Sequence, residues 1–216
     1  MFSLKGKVAF ITGSTKGIGK SIAEEMASLG ARVVISSRKA DACEAVAKEF
    51  AARGQEAMAL PCHVGSKEAC QTAVNTIIEK WGGIDTLVCN AASNPHFGPL
   101  ATASDEVFDK IMETNVKSVF WLGNMVLPQM AARGGGSMII ISSIGALRGS
   151  QVLGLYGTSK AAEAGLARAL AAEWGPKNII RDFQNDDGQP HEPAASKPAP
   201  KSAEKAEAPD QDDVPF

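Results

Sequence analysis

The chain of 216 residues contains one tyrosine, Tyr156, and a lysine follows it four positions on. At helical spacing Tyr156 and Lys160 share a face. A free phenol titrates at about 10, too high for efficient acid–base work at neutral pH. An ammonium beside it favours the tyrosinate and should lower that value. The pair therefore suits proton exchange with a substrate oxygen, as the reduction of a carbonyl requires. Either residue alone would be an ordinary amphipathic side chain.

A second constellation lies near the start, in Thr12-Gly13-Ser14-Thr15-Lys16-Gly17-Ile18-Gly19. It follows a short apolar run and opens a helical pattern. Glycines there allow a tight turn and a close backbone approach, so that a pyrophosphate can rest on the helix N-terminus. The spacing is GxxxGxG rather than GxGxxG. The coenzyme it would hold is read from the end of the second strand, where an acid would accept the ribose 2′-hydroxyl and favour NAD(H). Ser36-Ser37-Arg38-Lys39 stands there instead. Arg38 can pair a 2′-phosphate, with Lys16 beside it, so NADP(H) is expected in preference to NAD(H).

These residues must be positioned by alternating strands and helices. Strand patterns cover 7–12, 32–36, 56–60, 85–89 and 137–142. Helical patterns cover 18–29, 41–53, 66–81, 104–130 and 156–174, with Ser66 and Ser104 as caps and Gly30, Gly54 and Gly82 as stops. Pro128 should kink or end the fourth helix. Repeated βα units predict an α/β, Rossmann-type, doubly wound parallel sheet, buried on both faces. The hydrophobic fraction of 44% is that of a globular domain, and the net charge of −2 gives no bulk attraction to nucleic acid or membrane. Cys43, Cys62, Cys70 and Cys89 lack metal-ligand or CxxC spacing and read as reduced thiols of a cytoplasmic protein. No apolar run is long enough to span a bilayer, and the N-terminus lacks a signal-peptide core.

Taken in order, the motifs resemble the short-chain dehydrogenase/reductase family. TGxxxGIG follows the first strand, and Cys89-Asn90-Ala91-Ala92 closes the fourth where the family usually shows NNAG. Asn115 lies within the long helix. Ser143 ends the fifth strand, thirteen residues before the YxxxK motif of Tyr156 and Lys160. The resemblance implies a catalytic set of Asn115, Ser143, Tyr156 and Lys160. Ser143 would bond the substrate oxygen, Lys160 would hold the nicotinamide ribose, and Asn115 would anchor a water-linked proton relay. It implies a coenzyme site built from Gly13, Ser14, Thr15, Lys16, Gly17, Ile18, Gly19, Ser37, Arg38, Lys39, His63, Val64, Asn90, Ala91 and Ala92, together with Tyr156 and Lys160. His63 is either an adenine contact or a satisfied loop histidine. Cys62-His63-Val64-Gly65 and the run Asn90–Pro95 are similar to the branch of NADPH-dependent carbonyl and retinal reductases. The substrate implied is a small carbonyl compound or secondary alcohol, and a homo-oligomer through the Asn115 and Tyr156 helices is consistent with the family.

The resemblance ends near Ile180. Pro176-Lys177-Asn178-Ile179 should begin a sixth strand, but residues 181–216 carry six of the eleven prolines, a net charge of −5 and no Ile, Leu, Met, Trp or Tyr. Such a segment cannot offset its ordering entropy by burial and is expected to be a disordered tail. The single domain, 1–180, is then expected to lack its last strands, leaving the fifth strand as an apolar edge and the activity impaired. The tail ends Asp210-Gln211-Asp212-Asp213-Val214-Pro215-Phe216 and resembles the acidic tip of bacterial single-stranded DNA-binding proteins. The alternative reading is thus an inactive Rossmann fragment whose tail binds proteins that recognise such tips, with no direct contact to nucleic acid.

Overall fold

The computed structural model describes residues 3–179. The boundary expected near Ile180, the tail 181–216 and the tip-like terminus lie outside the described residues. Five short strands form one parallel sheet: β1 (Val8–Thr12), β2 (Arg32–Ser36), β3 (Ala57–Ala59), β4 (Thr86–Cys89) and β5 (Ser137–Ile140), in the order β3-β2-β1-β4-β5. The winding runs outward from β1 to β3 and then returns to the other side of β1. That reversal opens a crevice beyond the carboxyl ends of β1 and β4, where ligands bind in open α/β sheets.

Alternation along the strands feeds two cores. Ala9, Ile11, Val33, Ile35 and Val88 face α1 (Gly17–Ser28) and α2 (Ala40–Ala52), closed by Ala23, Ala27, Val46 and Phe50. Val8, Phe10, Val34, Leu87 and Cys89 face the other way, against α3 (Lys67–Trp81), α5 (Ser118–Ala132) and α6 (Gly154–Trp174). The doubly wound sheet expected from the βα repeat is therefore present. Local signals act as read: the Ser66 hydroxyl accepts from the Ala69 amide, and Gly82 ends α3 at φ +80°.

Three features differ from the sequence reading. The single helix expected over 104–130 is α4 (Asp105–Ile111), a π-helical turn (Met112–Lys117) and α5, in unbroken succession. Pro128 neither stops nor starts anything, because α5 runs on to Ala132 around it. It lies so near the end that the one bond it removes faces Asn124, an exposed residue. The sixth strand does not begin at Pro176: Gly175–Lys177 form a 3₁₀ turn with Pro at its start, and Asn178 adopts φ +59°. That turn brings the Asn178 carbonyl to the Gly136 amide, at the entry to β5.

β5 is the last strand of the sheet among the described residues. Its inward residues Met138 and Ile140 pack on the α5 side, while Ile139, on the α1/α2 face, is 44% exposed. The four cysteines are all buried and unpaired.

Candidate active site

The glycine loop is shaped by contacts rather than by flexibility alone. Gly13 and Gly17 hold φ +68° and +57°, which β-carbons disfavour. A β-carbon on Gly19 would lie 2.4 Å from the Gly13 carbonyl oxygen and 2.5 Å from Asn90 Nδ2. Thus Gly19 lets α1 close onto the ends of β1 and β4. Lys16, at the N-cap of α1, supplies no side-chain cap. The first-turn amides at Gly17, Ile18 and Gly19 have no intrahelical partners. Thr15 sits half-buried between these glycines, and Lys16 is exposed.

Ser14 is placed differently from its neighbours. Its hydroxyl is fully buried, donates to the Ile11 carbonyl at 2.8 Å and accepts the Ser36 amide at 2.8 Å. It fixes the loop to β2 and does not face the crevice. Asn90 is likewise an internal tie, donating to the carbonyls of Thr12 (2.9 Å) and Gly13 (3.1 Å). Thr12, the first residue of the glycine-rich run, anchors this wall: its hydroxyl accepts the amides of Asn90 and Ala91, each at 3.0 Å. Ala91 is half-buried and Ala92 exposed at the rim.

The coenzyme-choosing residues cluster at the carboxyl end of β2. Ser37 is half-buried, Arg38 and Lys39 are exposed, and none of Lys16, Arg38 and Lys39 makes an ion pair among the described residues. Beside them the Ser36 hydroxyl is buried without a hydrogen-bond partner. A polar ligand at the end of β2 is the kind of group that satisfies such an atom. The exposed His63 ring accepts the Gly65 amide at Nδ1 (3.0 Å), leaving Nε2 outward, while Val64 is buried. Both readings of His63 therefore persist: the ring is satisfied within its loop and still presents a donor.

Across the crevice lie the acid–base residues. Ser143 caps the 3₁₀ turn Ile144–Ala146, its hydroxyl accepting the Gly145 amide at 3.1 Å. That turn packs on α6 at Gly157, where a β-carbon would meet the Gly145 carbonyl at 2.7 Å. The close approach brings the turn that Ser143 caps against the first turn of α6, which carries the half-buried Tyr156. Lys160 Nζ stands 5.7 Å from the centroid of the Tyr156 ring. Asn115 is fully buried in the π-helical turn, and its side chain makes three hydrogen bonds. It accepts the Ser93 amide (2.8 Å) and donates to the Ser93 carbonyl (3.1 Å) and the Ser159 hydroxyl (2.9 Å). Its amide clamps the β4 exit loop to α6.

Sequence reasoning passed over Ser93, Ser159 and Glu163. Glu163 is 1% exposed and sits against Lys160, with both carboxylate oxygens at 2.9–3.0 Å from Nζ. Burial pushes the Glu163 carboxyl up from its usual range, opposed by the Lys160 hydrogen bond and charge. The signal was readable: positions 156, 159, 160, 163 and 170 fall on one stripe of α6.

Residues 7–181 match the family model described as short chain dehydrogenase. Dehydrogenase/reductase SDR family member 4 is 43% identical over 176 residues in both Sus scrofa and Homo sapiens, an overlap of 82% of this chain and 63% of each relative. The chain thus spans less than two thirds of the length of these relatives. A 7 alpha-hydroxysteroid dehydrogenase complexed with NADH and 7-oxo glycochenodeoxycholic acid superposes with a TM-score of 0.79 at 37% identity, covering 82% of this chain and 69% of that one. A gluconate 5-dehydrogenase from Burkholderia cenocepacia J2315, in complex with NADP and tartrate, gives 0.78 at 30% identity, with coverage of 82% and 69%.

Proposed function

The chain belongs to the short-chain dehydrogenase family, and from that premise we propose that it is an NADP(H)-dependent oxidoreductase acting on a carbonyl compound or secondary alcohol. The relatives differ in coenzyme, so the preference rests on this chain's own residues. The carrying observation is the end of β2: no carboxylate stands there, and Arg38 and Lys39 are exposed without ion pairs among the described residues, beside the orphaned Ser36 hydroxyl. A guanidinium matches a phosphate in charge and in bidentate geometry, which a ribose hydroxyl does not exploit. The first-turn amides of α1 and the walls at Ala91 and Ala92 would receive the rest of the coenzyme.

The bound coenzyme supplies the hydride. Ser143 bonds the substrate oxygen, and Tyr156 gives its proton to that oxygen as negative charge develops on it. Lys160 supports the tyrosinate that remains. Asn115 acts through structure, holding Ser93 and Ser159 so that the crevice wall and α6 keep their spacing. The four free thiols suit a reducing compartment, and the cytoplasm is the proposed location. No described helix is long and apolar enough to cross a membrane. Pairing of two copies through α5 and α6 is part of the same reading.

NADPH titration by calorimetry, with Arg38→Ala beside it, is the test. Saturable binding is expected, weakened about 10- to 100-fold by Arg38→Ala with NADH affinity unchanged. In turnover, Tyr156→Phe should cost at least about 100-fold with NADPH binding intact. Equal losses for NADPH and NADH in Arg38→Ala would refute the coenzyme preference. Undiminished turnover in Tyr156→Phe would refute the proton role.

A further inference from the structure

A carboxylate on the inner stripe of a helix is costly to bury unless it is paired and hydrogen-bonded. Glu163 meets that condition with a single partner. Its two oxygens take Lys160 Nζ at 2.9 and 3.0 Å, and the same Nζ donates to the Ile141 carbonyl at 2.9 Å. An ammonium has three donors, so these contacts commit all of them. Ile141 immediately precedes Ser142-Ser143, and Glu163 lies two turns beyond Tyr156 on one stripe of α6. The contacts therefore tie α6, which carries Tyr156, to the segment after β5 that carries Ser143.

We propose that Glu163 is a positioning residue for Lys160, holding its ammonium charged and fixed beside the Tyr156 ring. The inference rests on the reading of Lys160 as partner of the tyrosine and of the coenzyme, whose ribose would take over one of the donors now spent on Ile141 and Glu163. Stability alone does not explain the pair, since apolar side chains of similar volume in place of both partners often hold such a site at no greater cost. What the carboxylate adds is a charge held in one place. Lys160 is only 2% exposed, and a buried ammonium without a counter-charge gives up its proton readily.

The groups around the pair leave this balance to the two residues. On α6 the neighbour is Tyr156 itself. From β4 comes the Cys89 thiol, which burial pushes up to about 12 and so keeps neutral near physiological pH. Among the described residues, the segment after β5 contributes the neutral Ile141 carbonyl, and the neutral Asn115 bonds the neighbouring Ser159 hydroxyl on α6.

Glu163→Gln keeps the shape and removes the charge. In the coenzyme-free protein, the Lys160 signal is followed by NMR on ¹³C-labelled lysine and assigned by its loss in Lys160→Met. The variant's ammonium should deprotonate at least about one pH unit below the wild type's. In parallel, NADPH affinity is measured from pH 6 to 9. The wild type should vary little, whereas Glu163→Gln should lose about tenfold more affinity at pH 9 than at pH 6, with Glu163→Asp restoring part of the profile. A Lys160 titration identical in wild type and variant overturns the proposal, as does an affinity loss uniform across pH that merely follows a fall in Tm. Should Glu163→Gln fail to fold, Glu163→Asp carries the same NMR comparison, and equal titrations again overturn it. If the wild type binds no NADPH, the coenzyme reading falls, while the NMR comparison still decides what Glu163 does.

Discussion

Polar side chains at the crevice divide into those spent on the scaffold and those presented outward. Thr12, Ser14, Asn90 and Asn115 are spent, each bonded to backbone of a neighbouring element. Ser143, Tyr156, Arg38 and Lys39 are at least partly open. Cys89 marks the boundary, at the last position of β4 beneath Asn90. Its thiol is buried, and burial raises it from the ordinary value of 9.0 to about 12. A raised value means that the folded state holds the proton more tightly than the unfolded chain. The resulting stability is fully present below about pH 9 and is lost as pH rises towards about 12. Across that window the single group contributes a slope of roughly 1.4 kcal/mol per pH unit. Urea unfolding at pH 8.5, 9.5 and 10.5 should show the wild type losing that much more per unit than Cys89→Ala. Parallel slopes would mean that Cys89 ionises in the native state.

At the scale of elements, the two glycines at the start and middle of helices make opposite demands. Gly19 has no room for a β-carbon, since the Gly13 carbonyl and Asn90 stand within 2.5 Å of where it would be. Gly165, inside α6, has nothing within 4 Å. Gly19→Ala is expected to lower stability by about 1–3 kcal/mol and to abolish NADPH binding. Gly165→Ala should raise stability by up to about 1 kcal/mol and leave binding alone. Denaturant midpoints and calorimetry on the pair separate them, and a tolerated Gly19→Ala would show that α1 need not sit so close. The same contrast explains what the sequence disclosed. The strands, the caps at Ser66 and Ser104 and the order of motifs depend on local chemistry and period, so they were legible. The π-helical turn at Asn115 was not, because it arises where Asn115 must reach both Ser93 and Ser159, residues far apart in the chain. Ser14 read as a coenzyme contact because loop position was visible while the direction of its hydroxyl was not. The turn at Pro176 was misread as a strand, since resemblance outweighed the local signal of a proline at a turn start.

The sheet as a whole is finished unevenly among the described residues. Its centre is sealed on both faces, and β1 has no exposed residue. Towards β5 the α5 side remains packed, but Ile139 opens onto the α1/α2 side, and Ile144 and Leu147 just beyond it are 65% and 82% exposed. An apolar strand at a sheet edge offers both side chains and unpaired backbone groups to another chain. Self-association in the full chain is therefore expected to start at this edge, and a charge there should oppose it. Ile139→Lys places an ammonium at a position already near half exposure, so its cost to the fold should stay within about 1 kcal/mol. Light scattering against concentration, with Tm recorded alongside, makes the comparison. A clear drop in association at unchanged Tm would assign the adhesive surface to β5. Association as strong as in the wild type would remove the edge as its source and shift attention to the exposed aromatic and aliphatic side chains of Phe97, Leu100 and Phe120.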